Sequence, residues 1–266
     1  MAPLCNRRSS VRPTDASATP TTVLAVLRTN HHGAVTVLTF DRPEARNAFN
    51  HALYCAISDE LDRARDDDTT NVVVLTGHGS AFCAGQDLVE MTAMARGDLV
   101  FAGGHGFTRL LESLESFDKP LLAAVNGPAA GIGLTMLLHC DIVLVAESAR
   151  LRVPFAEMGV PPEAGSSALL PLRLGWQKAS ELLFTSEWMS ADDAVSSGLA
   201  LRSTSDELIV EQTIELATRI AAHDGKAMRT TKRLMMDARG SISQYARVRE
   251  ENAFAELFRS TRGGPK

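Results

Sequence analysis

The chain has 266 residues, of which 45% are hydrophobic and 22% charged, an ordinary balance for a globular protein that can bury a full core. Its formal net charge of −5 provides no basic field for nucleic acid, and no run of about 18 apolar residues is available to span a bilayer. We therefore expect neither a nucleic-acid partner nor a membrane partner. The cysteines, at positions 5, 55, 83 and 140, have no C-x-x-C spacing, so a reducing, cytoplasmic location is predicted.

The first part of the chain predicts a tail followed by a hairpin. Residues 1–22 are rich in Ser, Thr, Pro and Arg and lack apolar periodicity, which indicates a mobile tail. Pro3 and Pro13 interrupt any amphipathic targeting helix. Alternating residues 23–27 and 34–40 predict two antiparallel strands, joined by a turn at residues 31–33.

A helix with Asn50 as its N-cap and a continuous apolar strand at 72–76 follow, an order typical of a parallel βαβ unit. Ala84 and Gly85 then precede a short helical run, so this strand-to-helix junction is expected to leave backbone amides free. The glycines within residues 97–106 predict a flexible lid.

A second junction of the same kind follows the apolar strand predicted at 121–125. Gly131 and Gly133 flank Ile132 at the start of the next helix, where the first N–H groups lack intrahelical partners and the helix dipole is positive. An oxyanion could bind there. The alternative, a turn whose glycines only permit close packing, stays open at this point.

The remainder of the chain is predicted to be mostly helical. Strands are expected at 142–146 and 151–153, and an ordered loop at 154–167. The predicted helices span residues 168–174, 178–184, 191–196, 207–223, 227–238 and 242–258. The apolar positions of the last helix predict that it buries surface in a trimer or against the core.

Several common chemistries are excluded by the residues. The dinucleotide fingerprint fails because Met136 stands where its third glycine is required, and neither a G-x-S-x-G elbow nor an H-E-x-x-H motif is present. His78, His105 and His139 are better explained as loop or core residues than as bases. A pair of backbone donors, from Ala84 and Ile132, remains as a site that could stabilise an enolate, and such a site still needs a base.

Two stretches carry a family resemblance, Ala81-Phe-Cys-Ala-Gly-Gln-Asp-Leu88 and Asn126-Gly-Pro-Ala-Ala-Gly-Ile-Gly133. They resemble the signature stretches of the crotonase (enoyl-CoA hydratase/isomerase) family. The resemblance implies an α/β fold of the crotonase (ClpP-like) type, a spiral of ββα units over residues 23–200. It also implies a C-terminal helical oligomerisation region over residues 201–266 and assembly as a homotrimer or hexamer.

The same resemblance implies an acyl-CoA thioester as substrate, with coenzyme A as part of the substrate and no separate cofactor or metal. Ala84 and Ile132 would hold the thioester oxygen. The implied substrate-binding residues are Arg46, Asn47, Ala48, Ala84, Gly85, Gln86, Asp87, Leu88, Thr135, Phe155 and Lys232, with residues 46–48 near the nucleotide and Lys232 able to meet its phosphates. Asp87 is expected to order its own loop rather than to take part in chemistry.

The sequence departs from the hydratase pattern at two positions. Thr135 and Phe155 stand where hydratases carry glutamates, and neither side chain is a carboxylate base. Residues 160–167 instead resemble the segment of peroxisomal-type Δ3,Δ2-enoyl-CoA isomerases in which a glutamate replaces a hydratase glycine, and Glu163 is that glutamate. Glu157 is the rival acid, and a solvated loop position is the alternative explanation for Glu163.

A Δ3,Δ2-enoyl-CoA isomerase is therefore the predicted function, because a single carboxylate in a largely apolar pocket can remove a proton from C2 and return it at C4. Two alternatives remain: an enoyl-CoA hydratase with unusual residues, and an acyl-CoA-binding relative that has lost catalysis.

Overall fold

The computed structural model of the protein describes residues 26–262, so the predicted tail at residues 1–22 lies outside the described residues. The strands in the described part are β1 (Leu27–His32), β2 (Val35–Phe40), β3 (Val72–Gly77), β4 (Leu121–Val125), β5 (Ala129–Ala130), β6 (Ile142–Ala146), β7 (Arg150–Arg152), β8 (Met189–Ser190) and β9 (Arg202–Thr204). Within residues 26–262, no helix combines the length and the apolar character needed to cross a bilayer.

The helices lie between and after these strands. They are α1 (His51–Asp66), α2 (Leu88–Arg96), α3 (Gly106–Ser116), α4 (Ile132–Thr135), α5 (Phe155–Met158), α6 (Ser166–Leu174), α7 (Trp176–Thr185), α8 (Ala191–Ser196), α9 (Ile209–Ala221), α10 (Gly225–Arg239) and α11 (Ile242–Arg262). Short 3₁₀ helices occur at Pro43–Ala45 and Met136–His139.

The main sheet has the strand order β1-β2-β3-β4-β6-β9, in which β1 is antiparallel to β2 and the other neighbours are parallel. Every residue of β3 and β4 is buried, as expected for central strands of a parallel sheet covered on both faces. The chain runs from β2 through α1 to β3, which confirms the predicted parallel βαβ unit. A smaller sheet has the order β5-β7-β8.

The predicted hairpin is present, but its first strand is displaced along the chain. β1 begins at Leu27 and includes His31 and His32, which were expected to form the turn. The turn consists of Gly33 and Ala34. Gly33 has a φ of +60°, which a residue with a side chain rarely takes, so the glycine favours a turn at this position. Residues 23–25 lie outside the described part of the chain.

Helix α1 begins as predicted, since the Asn50 side chain accepts a hydrogen bond from the Leu53 amide. Ile57 and Leu61 of its apolar stripe are fully buried. The predicted lid is shorter than expected: Gly97 ends α2, and Gly106 is buried at the start of α3, where an added Cβ would lie 2.7 Å from the Tyr54 Cβ.

Several short elements were not predicted. The expected loop at 154–167 contains α5, and its last two residues already belong to α6. Strands β8 and β9 have two and three residues, which is too short for a residue pattern to reveal.

Helix α9 packs across β2, β3, β4 and β6, and its Ile209 and Ala217 belong to the main core.

Helix α11 packs on α6, but not through the predicted apolar stripe. The stripe residues Ile242, Tyr245 and Val248 are exposed in the single chain, so they do not bury against the core. The buried positions of α11 include Ala246 and Glu250. Their burial brings polar groups of α11 into contact with the body of the protein.

One such contact predicts a stability effect. Arg247 lies 3.1 Å from the carboxylate of Glu115, whose side chain is only 7% exposed. Arg247→Ala should lower the free energy of unfolding by about 3 kcal/mol, because it leaves a buried carboxylate without its cation. The measurement is chemical denaturation, and Arg249→Ala, an exposed arginine of the same helix, is the control. Equal stability of the two variants would contradict the expected role of this ion pair.

Candidate active site

The first strand-to-helix junction leads from β3 to α2. Asp87 caps α2, since its Oδ1 accepts hydrogen bonds from the amides of Val89 and Glu90 at 3.0 and 3.2 Å. Its Oδ2 lies 2.9 Å from a guanidinium nitrogen of Arg42. Burial acts to raise the pKa of Asp87, but the bond from Arg42 and the two amides outweigh it and lower the pKa. Asp87 therefore orders its own loop, as predicted.

The amides of this junction are not all free. The N–H of Ala84 donates to the carbonyl oxygen of Arg46 at 3.0 Å, so the prediction that Ala84 supplies a free donor is wrong. The N–H of Asp87 donates to the carbonyl of Phe49 at 2.9 Å. Between them, the amide of Gln86 has no acceptor among residues 26–262. Gln86, two residues beyond Ala84, therefore has an available N–H.

The second junction leads from β4 into α4. Gly131 has a φ of +53°, which turns the chain into the helix, and its carbonyl accepts hydrogen bonds from the amides of Leu134 and Thr135. The Ile132 amide, the first of α4, has no acceptor in the described part of the chain. An available donor at Ile132 agrees with the expectation from the sequence.

Direct contact joins the two junctions. The Ala130 amide donates to the carbonyl of Cys83 at 2.9 Å, and Cys83 forms a parallel bridge with Ala129. Gly133 lies so close that an added Cβ would be 2.5 Å from the Cys83 carbonyl oxygen. The segments that carry the free amides of Gln86 and Ile132 are thus held side by side.

A buried tyrosine, not singled out in the sequence, fixes the first junction. The Tyr54 hydroxyl donates to Oε1 of Gln86 at 2.7 Å. Burial, and next the charge of Glu163, raise the pKa of Tyr54. Burial also raises the pKa of Cys83 to about 12, with a further contribution from Glu163. The charge of Glu163 therefore acts on residues at the first junction.

Glu163 lies in the turn that precedes α6. Its side chain is partly buried, and burial, followed by the negative charge of Glu250, raises its pKa to about 7. The rival acid, Glu157, has a side chain that is 64% exposed and paired with Arg152. Glu163 is thus the more buried of the two acids.

Thr135 and Phe155, which stand at the two positions of the hydratase glutamates, are both buried. Phe155 begins α5, and Thr135 ends α4. The Thr135 hydroxyl has no hydrogen-bond partner within residues 26–262. Neither residue supplies a carboxylate.

A cleft of about 710 Å³ lies beside the first junction. The predicted substrate-binding residues that line it are Ala48, Ala84, Gln86, Asp87 and Leu88. Arg42, which was not predicted, lines it as well. No sequence motif distinguishes Arg42 from other surface arginines.

Two residues predicted to bind the ligand have side chains that are engaged within the protein. The Asn47 side chain is buried and donates to the carbonyls of His78 and Ala81 at 2.9 and 2.7 Å, so it joins two loops. Lys232 is also buried, with its ammonium 2.8 Å from Asp141 Oδ2, and it lines a different cavity, of about 450 Å³. Because Lys232 already has a carboxylate partner, it is not available for the phosphates of a nucleotide.

The histidines are not placed as bases of this site. His78 is exposed and contacts Asp41, and His105 lies 3.0 Å from a carboxylate oxygen of Glu90. His139 is buried, and burial lowers its pKa to about 4. This agrees with their assignment to loop and core roles.

A family model described as enoyl-CoA hydratase/isomerase matches residues 30–264. The chain belongs to this family. Its membership and its fold, both predicted from the two signature stretches, are confirmed. Enzymes of the enoyl-CoA hydratase/isomerase family act on acyl-CoA thioesters, and the chain is accordingly an acyl-CoA-processing enzyme.

Similar proteins include both hydratases and isomerases. The 2,3-dehydroadipyl-CoA hydratase of Escherichia coli (strain K12) is 34% identical over 223 residues, which cover 84% of this chain and 86% of that protein. Enoyl-CoA delta isomerase 2 of Rattus norvegicus is 37% identical over 186 residues, 69% of this chain and 46% of that protein. A crystal structure of an enoyl-CoA hydratase/isomerase from Pseudoalteromonas atlantica T6c has a TM-score of 0.84 and 37% sequence identity to this chain. The match covers 88% of this chain and 91% of the chain in that structure.

The contact between the junctions predicts the effect of Gly133→Ala. The new methyl group would overlap the Cys83 carbonyl oxygen, so the junctions must move apart. We expect a loss of about 1 to 3 kcal/mol in the free energy of unfolding, typical of overpacking, measured by chemical denaturation. Unchanged stability would show that this contact is looser than the structure indicates.

Proposed function

We propose that this member of the enoyl-CoA hydratase/isomerase family is a Δ3,Δ2-enoyl-CoA isomerase that works without a metal or redox cofactor. The observation that carries the proposal is the partly buried carboxyl group of Glu163, with its pKa raised to about 7, acting on the junction that holds a free amide. Hydratases carry glutamates at positions 135 and 155, but Thr135 and Phe155 have no carboxylate. Isomerisation needs only one base, so these two residues support isomerisation over hydration.

The proposed reaction uses one carboxylate twice. The carboxylate of Glu163 removes a proton from C2 of the 3-enoyl thioester, and the electron pair moves onto the thioester oxygen as an enolate. The N–H groups of Gln86 and Ile132 donate to this oxygen, which replaces the predicted pair of Ala84 and Ile132. The Glu163 carboxylic acid then returns the proton to C4 as the C2–C3 double bond forms and the carbonyl is restored.

A pKa of about 7 suits both halves of this transfer, because the group can be deprotonated before the first step and is acidic enough for the second. Each free amide is also a substantial source of catalysis, since removing one oxyanion donor typically costs about 3 kcal/mol of transition-state stabilisation. The cleft lined by Ala48, Gln86 and Leu88 is the proposed binding site of the acyl-CoA. Arg46 is exposed and remains the proposed neighbour of the nucleotide.

Assembly as a homotrimer or hexamer in the cytoplasm is also a proposal. Apolar side chains on α10 and α11 support assembly, since Leu234, Met235 and Tyr245 are between 64% and 70% exposed in the single chain. Cys83 and Cys140 are buried free thiols, which is compatible with a reducing compartment.

The test of the function is Glu163→Gln. Gln keeps the size of the side chain but cannot accept a proton, so kcat for conversion of 3-enoyl-CoA to 2-enoyl-CoA should fall by about 10² to 10⁴-fold. Binding of the acyl-CoA should hardly change. The measurement is steady-state isomerisation together with calorimetric binding of a saturated acyl-CoA.

The matched control is Glu157→Gln, which alters an exposed acid near the same loop and should leave kcat unchanged. A wild-type enzyme that adds water to 2-enoyl-CoA but does not isomerise 3-enoyl-CoA is a hydratase, and one that does neither is a binding relative. If Glu157→Gln abolishes isomerisation and Glu163→Gln does not, the base has been assigned to the wrong acid.

The pH dependence provides a separate prediction. Only the deprotonated form of Glu163 can remove the C2 proton, and its pKa in the folded protein is about 7. kcat/KM should therefore rise with pH and level off above about 7. A rate that is already constant from pH 5 upward would mean that the base has an ordinary carboxyl pKa. The measurement is kcat/KM for 3-enoyl-CoA in overlapping buffers.

A further inference from the structure

The turn that carries Glu163 has an unusual backbone. Ala164 and Gly165, the next two residues, have φ values of +59° and +74°. Ala164 is a residue with a Cβ in a left-handed conformation, which surrounding structure must hold in place. Within the turn, the Glu163 carbonyl accepts hydrogen bonds from the amide and the hydroxyl of Ser166. These local bonds leave the amides of Gly165 and Ser167 to be satisfied from elsewhere.

A carboxylate from a distant part of the chain satisfies them. Oε2 of Glu250 accepts from the Gly165 amide and Oε1 accepts from the Ser167 amide, both at 2.8 Å. Glu250 lies on α11 and is only 6% exposed. Helix α6 has no side-chain cap of its own at Gly165, so Glu250 places its negative charge at the start of that helix.

The turn is also held from its other side. His139 Nε2 lies 3.0 Å from the Ala164 carbonyl oxygen, and because a carbonyl only accepts, this nitrogen carries the proton. On the α11 side, Ser243 packs so closely that a Cβ at Gly165 would lie 2.7 Å from its hydroxyl oxygen. The residues after Glu163 therefore have little room to move.

We propose that Glu250 is a positioning residue for the reaction, because it holds the turn that presents the Glu163 carboxyl group to the substrate. The proposal rests on the isomerase function proposed above. Glu250 does not touch the reacting atoms. It acts by fixing the backbone on either side of Ser166 and by placing a second negative charge near Glu163.

Several other charged groups lie near this turn. Burial and the charge of Glu250 raise the pKa of Glu163. Arg247 on α11 is paired with Glu115. Burial, together with the positive charges of Arg173 on α6 and Arg239 on α10, lowers the pKa of His139 and keeps it neutral. Glu250 is thus the charged group that raises the pKa of Glu163.

The test compares Glu250→Gln with Glu251→Gln, which makes the same change at the adjacent residue, whose side chain is 58% exposed. Gln keeps the length of Glu250 but offers one acceptor atom and no charge. We expect kcat to fall by about 10²-fold with KM nearly unchanged, which is the cost of misplacing a catalytic group by about 1 Å. The titration of Glu163, followed by carbon-13 NMR of its carboxyl group, should move to lower pH. Glu251→Gln should change neither quantity.

Glu250→Asp separates charge from reach, since it keeps the negative charge but is too short to contact both amides. It should lower kcat while leaving Glu163 with a raised pKa. If Glu250→Gln does not fold, as judged by circular dichroism, Glu250→Asp decides the matter, and an unchanged kcat overturns the proposal. A folded Glu250→Gln with wild-type kcat, with its loss confined to KM, or with an unmoved Glu163 titration also overturns it.

The NMR titration needs no turnover, so it distinguishes this proposal from the function on which it rests. A wild-type protein that does not isomerise 3-enoyl-CoA overturns the function. The titration of Glu163 in wild type and Glu250→Gln then still reports whether Glu250 controls that carboxyl group, and an identical titration overturns the inference.

Discussion

The contact between residues 83 and 129–133 is the constraint on which the rest of the site depends. Cys83 pairs with Ala129 and accepts a hydrogen bond from the Ala130 amide, while Gly133 lies against its carbonyl without room for a methyl group. The two strand-to-helix junctions are therefore parts of one packed unit. Because β3 and β4 are neighbours in the parallel sheet, both junctions emerge at the same end of it.

Polar side chains around this unit are mostly engaged with the protein itself. Asp87 caps α2 and pairs with Arg42, Asn47 joins two loops, and Lys232 pairs with Asp141. Such side chains hold the backbone in place, whereas Glu163 is a carboxyl group whose pKa is raised by burial and by the charge of Glu250. Because most of its polar side chains hold the backbone, the site can be well ordered although few of its side chains are reactive.

Much of this could be predicted from the sequence, because the relevant signals are local. Apolar runs revealed β3 and β4, Asn50 revealed the start of α1, and small residues before helical runs revealed both junctions. The free donor was placed at Ala84 instead of Gln86 because its position depends on which amide the Arg46 carbonyl accepts from, a contact between distant segments. Tyr54 was hidden for a similar reason, since it belongs to the buried stripe of α1 and only the fold shows that its hydroxyl reaches Gln86.

The dependence of both donors on the main chain has a consequence for sequence variation. Every residue type except proline supplies a backbone N–H, so the donors at positions 86 and 132 do not depend on a particular side-chain functional group. Constraint falls instead on Gly131, whose φ of +53° suits glycine, and on Gly133, which lies against Cys83. The relative position of the two N–H groups therefore depends on glycines that contribute no reactive side chain of their own.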